Sequence, residues 1–267
     1  MLWNKSLKQV TTFSVALCLG MVMSPGLNLQ AKAHTETDSL TPATAGPWLL
    51  SQSFTPPDRG APERTAEGGT RGCGTYRSGQ KPLTALTPGD AMPLTLAAHP
   101  TFYWYVPTEG PQTLEFELVE GDNEENVVYQ AKIQIPQGGI ISHSLPVDDT
   151  TTLEPGKSYH WYLKMVCDAS DRTGDIVVDG WIERVEPDET IALALKNANT
   201  PSSRVSIYAR EGIWHDALSI LAQMRRDNPE DTVLFARWQQ FLNSVELGDF
   251  ATEPLVDAVD ATQISQE

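Results

Sequence analysis

One stretch limits the folds open to this chain more than any other: Leu153-Glu-Pro-Gly-Lys-Ser-Tyr-His-Trp-Tyr-Leu-Lys-Met-Val-Cys167. Pro155-Gly156 is turn chemistry, and the residues that follow alternate as a strand does. In an extended chain Tyr159, Trp161, Leu163, Met165 and Cys167 fall on one face. His160, Tyr162, Lys164 and Val166 fall on the other.

Around this strand lies a series of short β-type runs separated by turn residues. They cover residues 93–98, 101–106, 112–119, 127–135, 140–145, 158–167 and 176–185. Leu114, Phe116 and Leu118 alternate with Glu115 and Glu117, the mark of a sheet with one solvated face. Val177-Val178 breaks alternation, so the last run is expected to carry a bulge or to be buried on both faces. Seven strands with regular turns over roughly a hundred residues predict an all-β sandwich across residues 60–186. Leu-x-Pro-Gly leading into Tyr-x-Trp resembles the corner of an immunoglobulin-like or fibronectin-type sandwich, with Tyr159 as the tyrosine-corner residue.

Past Pro187 the hydrophobic period changes from 2 to 3.6, which predicts a helical region over residues 187–247 packed on the sandwich. Residues 188–199 open with acids and end at Thr200-Pro201. Thr200 as N-cap and Pro201 at the first helical position start a second helix that runs to Glu211 and stops at Gly212. A third helix spans 214–227 with Arg225 and Arg226 near its negative end, and a fourth spans 231–245. Residues 248–267 read as an acidic, flexible tail. Tyr208, Gly212, Trp214, Ala217 and Leu218, with Pro229 beyond, resemble the centre of one tetratricopeptide (TPR-like) repeat. A single repeat predicts a helical hairpin rather than a solenoid groove.

The N-terminus has the order of a secretory signal peptide over residues 1–33. Lys5 and Lys8 precede the apolar run FSVALCLGMVM, and Ala31-Lys32-Ala33 places small residues for cleavage. The run is too short to span a bilayer, and no other stretch is long and apolar enough. Leu17 stands where a small residue would precede a lipidated cysteine, so Cys18 is not expected to carry lipid. Residues 34–59 form a disordered linker by composition. Loss of residues 1–33 removes three lysines and no acid, which moves the formal charge from −16 to −19. So acidic a chain is a poor nucleic-acid or anionic-membrane binder. Two cysteines survive, Cys73 and Cys167, and an oxidising compartment favours a disulfide between them.

Several segments together point to one family: Ala61-Pro62-x-Arg64-Thr65, Gly68-Gly69-Thr70-Arg71-Gly72, Leu83-Thr84-Ala85-Leu86, Pro100-Thr101-Phe102-x-Trp104-x-Val106-Pro107, Gly180-Trp181-Ile182 and Tyr208-Ala209-x-x-Gly212-Ile213-Trp214. Over about residues 60–246 the chain resembles the cyanobacterial family catalogued as domain of unknown function 928. That resemblance implies an exported cyanobacterial protein and supplies no activity and no catalytic residues.

Nothing in the motifs selects a reaction. The histidines lack metal-ligand spacing, and no nucleophile elbow is present. Ser142-His143-Ser144 puts the imidazole and both hydroxyls on opposite strand faces. Asp168 to Asp175 lacks the oxygen ladder of a calcium loop and reads as a capped polar turn. No catalytic residue, metal or cofactor is therefore expected. Phe102-Tyr103-Trp104-Tyr105 is the most unusual run: Phe102 and Trp104 point to the core, Tyr103 and Tyr105 to the outer face, where either the helical region covers them, the favoured reading, or they stay open to stack on a sugar or anchor a protein. The expected function is a non-enzymatic, exported interaction or scaffold protein of the cell envelope, periplasmic or secreted, with a protein partner. The alternative is a carbohydrate-binding module whose polysaccharide stacks on exposed aromatics. Tyr103, Tyr105, Trp181 and Trp214 are the candidate binding surface.

Overall fold

Alternation decides which side of each strand is dry. The structure is a computed structural model, and it describes residues 53–58, 60, 80–121, 125–147 and 151–260. In chain order the elements are β1 (Thr84–Ala85), β2 (Leu94–Thr95), β3 (Thr101–Val106), β4 (Gln112–Glu120), β5 (Val127–Ile135), β6 (Gly139–Ser144), β7 (Ser158–Met165) and β8 (Ile176–Arg184). The helices α1 (Glu189–Asn197), α2 (Pro201–Arg210), α3 (Trp214–Asp227) and α4 (Thr232–Asn243) follow, then β9 (Leu255–Val256) and β10 (Val259–Asp260).

The strands form two sheets, ordered β1-β3-β6-β9 and β10-β5-β4-β7-β8-β2. In the larger sheet Leu118 pairs with Trp161 and Phe116 with Leu163, so the apolar rows of β4 and β7 lie side by side. Phe102 and Trp104 of the smaller sheet meet that surface: Trp104 lies 5.7 Å from Trp161 and 5.4 Å from Phe116 between ring centroids. Fully burying a side chain of this kind contributes roughly 1.5–3 kcal/mol. The expected turn before β7 is closed by the Glu154 N–H, which donates to the Tyr159 hydroxyl at 2.8 Å.

A second core lies on the opposite face of the smaller sheet. Tyr103, Tyr105 and Ile140 pack there with Val205, Tyr208, Trp214, Leu218 and Phe241 of the helices. Helices, four-stranded sheet and six-stranded sheet thus make three layers, sheet-rich with C-terminal helices. Helix starts follow the expected caps. Thr200 and Ser203 form a reciprocal capping box with Pro201 behind it, and the Asp188 and Asp231 side chains accept from the first turns of α1 and α4. Gly212, at φ +72°, supplies the left-handed residue that ends the α2 turn.

Three expectations differ in detail, and one alternative is decided. The run 93–98 shrinks to the two residues of β2, because the Leu96 N–H is taken by the Asp216 carboxylate and the Ala97 N–H by the Thr95 hydroxyl. Of the two alternatives for the run 176–185, burial on both faces holds: β8 keeps unbroken register with β7, and the register shift falls between Leu118 and Val119 of β4. The segment expected as a flexible tail is built into the fold up to Asp260, with β9 parallel to β6 and β10 antiparallel to β5. Phe250 and Val256 are buried there, which anchors it. The end of the expected linker is also ordered. Phe54 inserts its ring edge-on against Trp214 at 4.9 Å, and the Thr55 N–H donates to the Ala209 carbonyl. The signal-peptide residues, most of the linker, Cys73 and residues 261–267 lie outside the described residues.

Candidate functional site

The four aromatics expected to form a binding surface are all interior: Tyr103 is 4 % exposed, Tyr105 8 %, Trp181 5 % and Trp214 0 %. The helices cover Tyr103 and Tyr105, as the favoured reading of that strand face has it, Trp214 is itself part of the helical core, and Trp181 is buried against Met92, Leu94 and His160. Trp214 begins α3, stacks on Phe241 at 4.5 Å and donates its indole N–H to the Leu86 carbonyl. Tyr103 sits beneath α3 beside Ser219 and Arg226, and burial raises its phenol pKa. Tyr105 packs on Phe250, and its pKa is likewise raised by burial.

Trp181 belongs to a polar cluster that periodicity did not expose. Register across β7 and β8 sets His160 opposite Trp181 and Tyr162 opposite Asp179. The His160 and Trp181 rings stack at 4.3 Å, 13° from parallel. His160 Nε2 lies 2.6 Å from Asp179 Oδ2, and its Nδ1 lies 2.9 Å from the Tyr162 hydroxyl. His160 and Asp179 are both buried, and Tyr162 is half-buried. A carboxylate buried this deeply requires such a partner. Both imidazole nitrogens are occupied, so the cluster ties two strands together. The only sequence signal for it was a histidine and a tyrosine two apart on the polar face of a strand.

A second pair, His215-Asp216, joins α3 to the sheets. The Asp216 carboxylate accepts from the Thr95 hydroxyl at 2.8 Å and the Leu96 N–H at 3.1 Å; burial raises its pKa. His215 is fully enclosed. Its Nδ1–H donates to the Thr101 carbonyl at 3.2 Å, while its Nε2 has no partner. Burial lowers the imidazole pKa to about 4, so the ring is neutral at pH 7. With His99, Tyr208 and Ser219 the pair lines a cavity of about 190 Å³.

The 168–175 segment is a capped polar turn. Asp168 and Asp171 accept from the hydroxyls and then the backbone N–H groups of Ser170 and Thr173, and these hydrogen bonds lower their pKa values. Asp175 accepts from the Cys167 N–H and from Arg172. Among the described residues no group of three His, Cys, Asp or Glu is placed to hold a metal ion. Cys167 is disulfide-bonded, and Cys73, its expected partner, lies outside the described residues. Within the described residues no helix is long and apolar enough to cross a membrane.

Among the described residues Val127, Val147, Leu193 and Val233 are large hydrophobic side chains left exposed, and Leu193 stands on α1. Helix α1 has the sequence ETIALALKN and no fully buried residue. Ile191 and Leu195, one turn apart, lean against the helical core, while Leu193 between them is 59 % exposed.

No curated protein matches this chain. The family model described as Domain of Unknown Function (DUF928) matches residues 66–255, from before β1 to the first residue of β9. A match over that much of the sequence makes the chain a member of the DUF928 family.

Proposed function

We propose that this protein is an exported, non-enzymatic interaction module of the cell envelope, whose sheets and helical layer form one scaffold for a protein partner. The observation that carries the reading is α1: a well-capped helix that leaves Leu193 in solvent on the side turned away from Ile191 and Leu195. Ile191 and Leu195 form the stripe that α1 packs on the core, and the leucine left outside that stripe is the contact offered to a partner. Two finer likenesses support a binding scaffold. The Tyr159 corner suits an immunoglobulin-type sandwich, and the close packing of α2 on α3 through Ala209 and Ala217 suits a tetratricopeptide-like helix pair. The signal-like N-terminus and the expected Cys73–Cys167 bond support export.

Sugar binding is the second reading. It finds no open platform in Tyr103, Tyr105 or Trp181, since each is less than a tenth exposed, and it needs other residues. The test is capture by the mature protein from a cyanobacterial envelope extract, beside a wash over immobilised envelope polysaccharide. Stoichiometric capture of one protein, lost in Leu193→Asp without loss of thermal stability, is the expected result. Retention on polysaccharide alone overturns the scaffold reading.

A further inference from the structure

The chain carries 35 acidic and 19 basic residues, so two adjacent arginines in one cleft call for an explanation. Arg225 and Arg226 close α3 and line an open cleft of about 440 Å³, walled by Trp238, Pro229, Pro254 and Leu255. Arg225 spends one donor on the Pro229 carbonyl at 3.2 Å and lies 5.1 Å over the Phe235 ring. Arg226 donates to the Ser142 hydroxyl at 2.9 Å and to Tyr103. Each guanidinium has five N–H donors. Among the described residues no carboxylate hydrogen-bonds to either, and the Nε of both is buried without a partner.

Two carboxylates border the cleft. Glu253 is engaged by Lys81. Asp257 is 97 % exposed, and its Oδ1 hovers 4.0 Å from Arg226 Nε, beyond hydrogen-bonding distance. It marks where the arginines attract a carboxylate without holding one.

We propose that the Arg225–Arg226 cleft binds the carboxylate of a small organic anion. The planar guanidinium fork matches a carboxylate in two parallel N–H···O bonds, and the apolar walls suit an organic body behind it. A strongly negative chain repels a dianion such as sulfate more than a monoanion, which favours carboxylate over phosphate-like groups. The carboxylate comes from a uronic sugar or from a peptide C-terminus.

The experiment is an NMR titration of the mature protein with D-glucuronate and with N-acetylglycine. Glucose and N-acetylglycinamide serve as neutral counterparts, and sodium sulfate as the dianion. Saturable shifts at α3 and β9 with one carboxylate are expected, and which one binds identifies the source. Binding weakens at least fivefold in Arg226→Gln. In Asp257→Asn, a fully exposed change that spares the fold, it tightens two- to threefold as the competing charge is removed. The proposal is overturned by no saturation with either carboxylate, by equal binding of a neutral counterpart, by tighter binding of sulfate, or by unchanged affinity in Asp257→Asn.

Discussion

The Trp161 indole occupies the space that a side chain at Gly180, its cross-strand partner, would need: a Cβ at that position would stand 2.4 Å from Cζ2 and 2.9 Å from Cε2. Trp161 also anchors Phe102 and Trp104 of the opposing sheet, so the missing side chain of one residue makes room for the central contact of the sandwich.

Gly180→Ala is therefore expected to cost about 1–3 kcal/mol by overpacking, because the obstacle is a ring held on all sides. A urea midpoint equal to that of the parent would show that Trp161 is free to move.

Stability is expected to fall as the pH drops from 6.5 towards 4. The folded state holds His215 neutral down to about pH 4, whereas an unfolded histidine protonates near 6.5. Over that window the unfolded chain binds a proton that the folded one refuses, a loss of up to about 3 kcal/mol. Asp216 works in the opposite sense: its raised pKa lets the folded state take up a proton first as the pH falls, which lessens the loss. Denaturation of the parent and of His215→Leu at several pH values checks this. The variant should show a shallower dependence; parallel curves would remove His215 as the cause.

Phe54 should matter as much as a core residue of the helices. It touches Trp214 and Phe241, so Phe54→Ala is expected to cost about 3–5 kcal/mol. A chain starting at Gly60 should lose the same contacts. A thermal midpoint within a degree of the parent would return this segment to the status of a passive linker.

Thiol titration of a denatured chain lacking residues 1–33 should find no free cysteine before reduction and two after it. Cys73→Ser should expose one thiol and lower stability by up to about 4 kcal/mol, as expected for a bond closing a long loop. A single free thiol in the parent would exclude the Cys73–Cys167 pair.

Much of the fold was legible because periodicity and end signals are local. Leu114 to Leu118 alternates within one strand, and Thr200-Pro201 caps a helix whatever surrounds it. The candidate site was not legible in that way. Tyr103 and Tyr105 were correctly placed opposite Phe102 and Trp104, but their exposure depended on whether the helices cover that face. His160 and Asp179 are 19 residues apart and meet only through the β7–β8 register. Phe54, Phe250 and Val256 sit in stretches whose polar neighbours hide an isolated anchor, and each becomes a core residue once a distant element covers it.

By itself the sequence determined the order of strands and helices, the helix ends, the inward row Tyr159, Trp161, Leu163 and Met165, and the family. These follow from short-range chemistry: side-chain alternation, turn residues and caps act over a few positions. Only the tertiary structure decided that the helices bury the tyrosine face and that residues 255–260 complete both sheets. It alone also placed Arg225 and Arg226 in an open cleft beside a loose Asp257. Burial and charge pairing are properties of what the rest of the chain brings alongside a residue, and no local pattern encodes them.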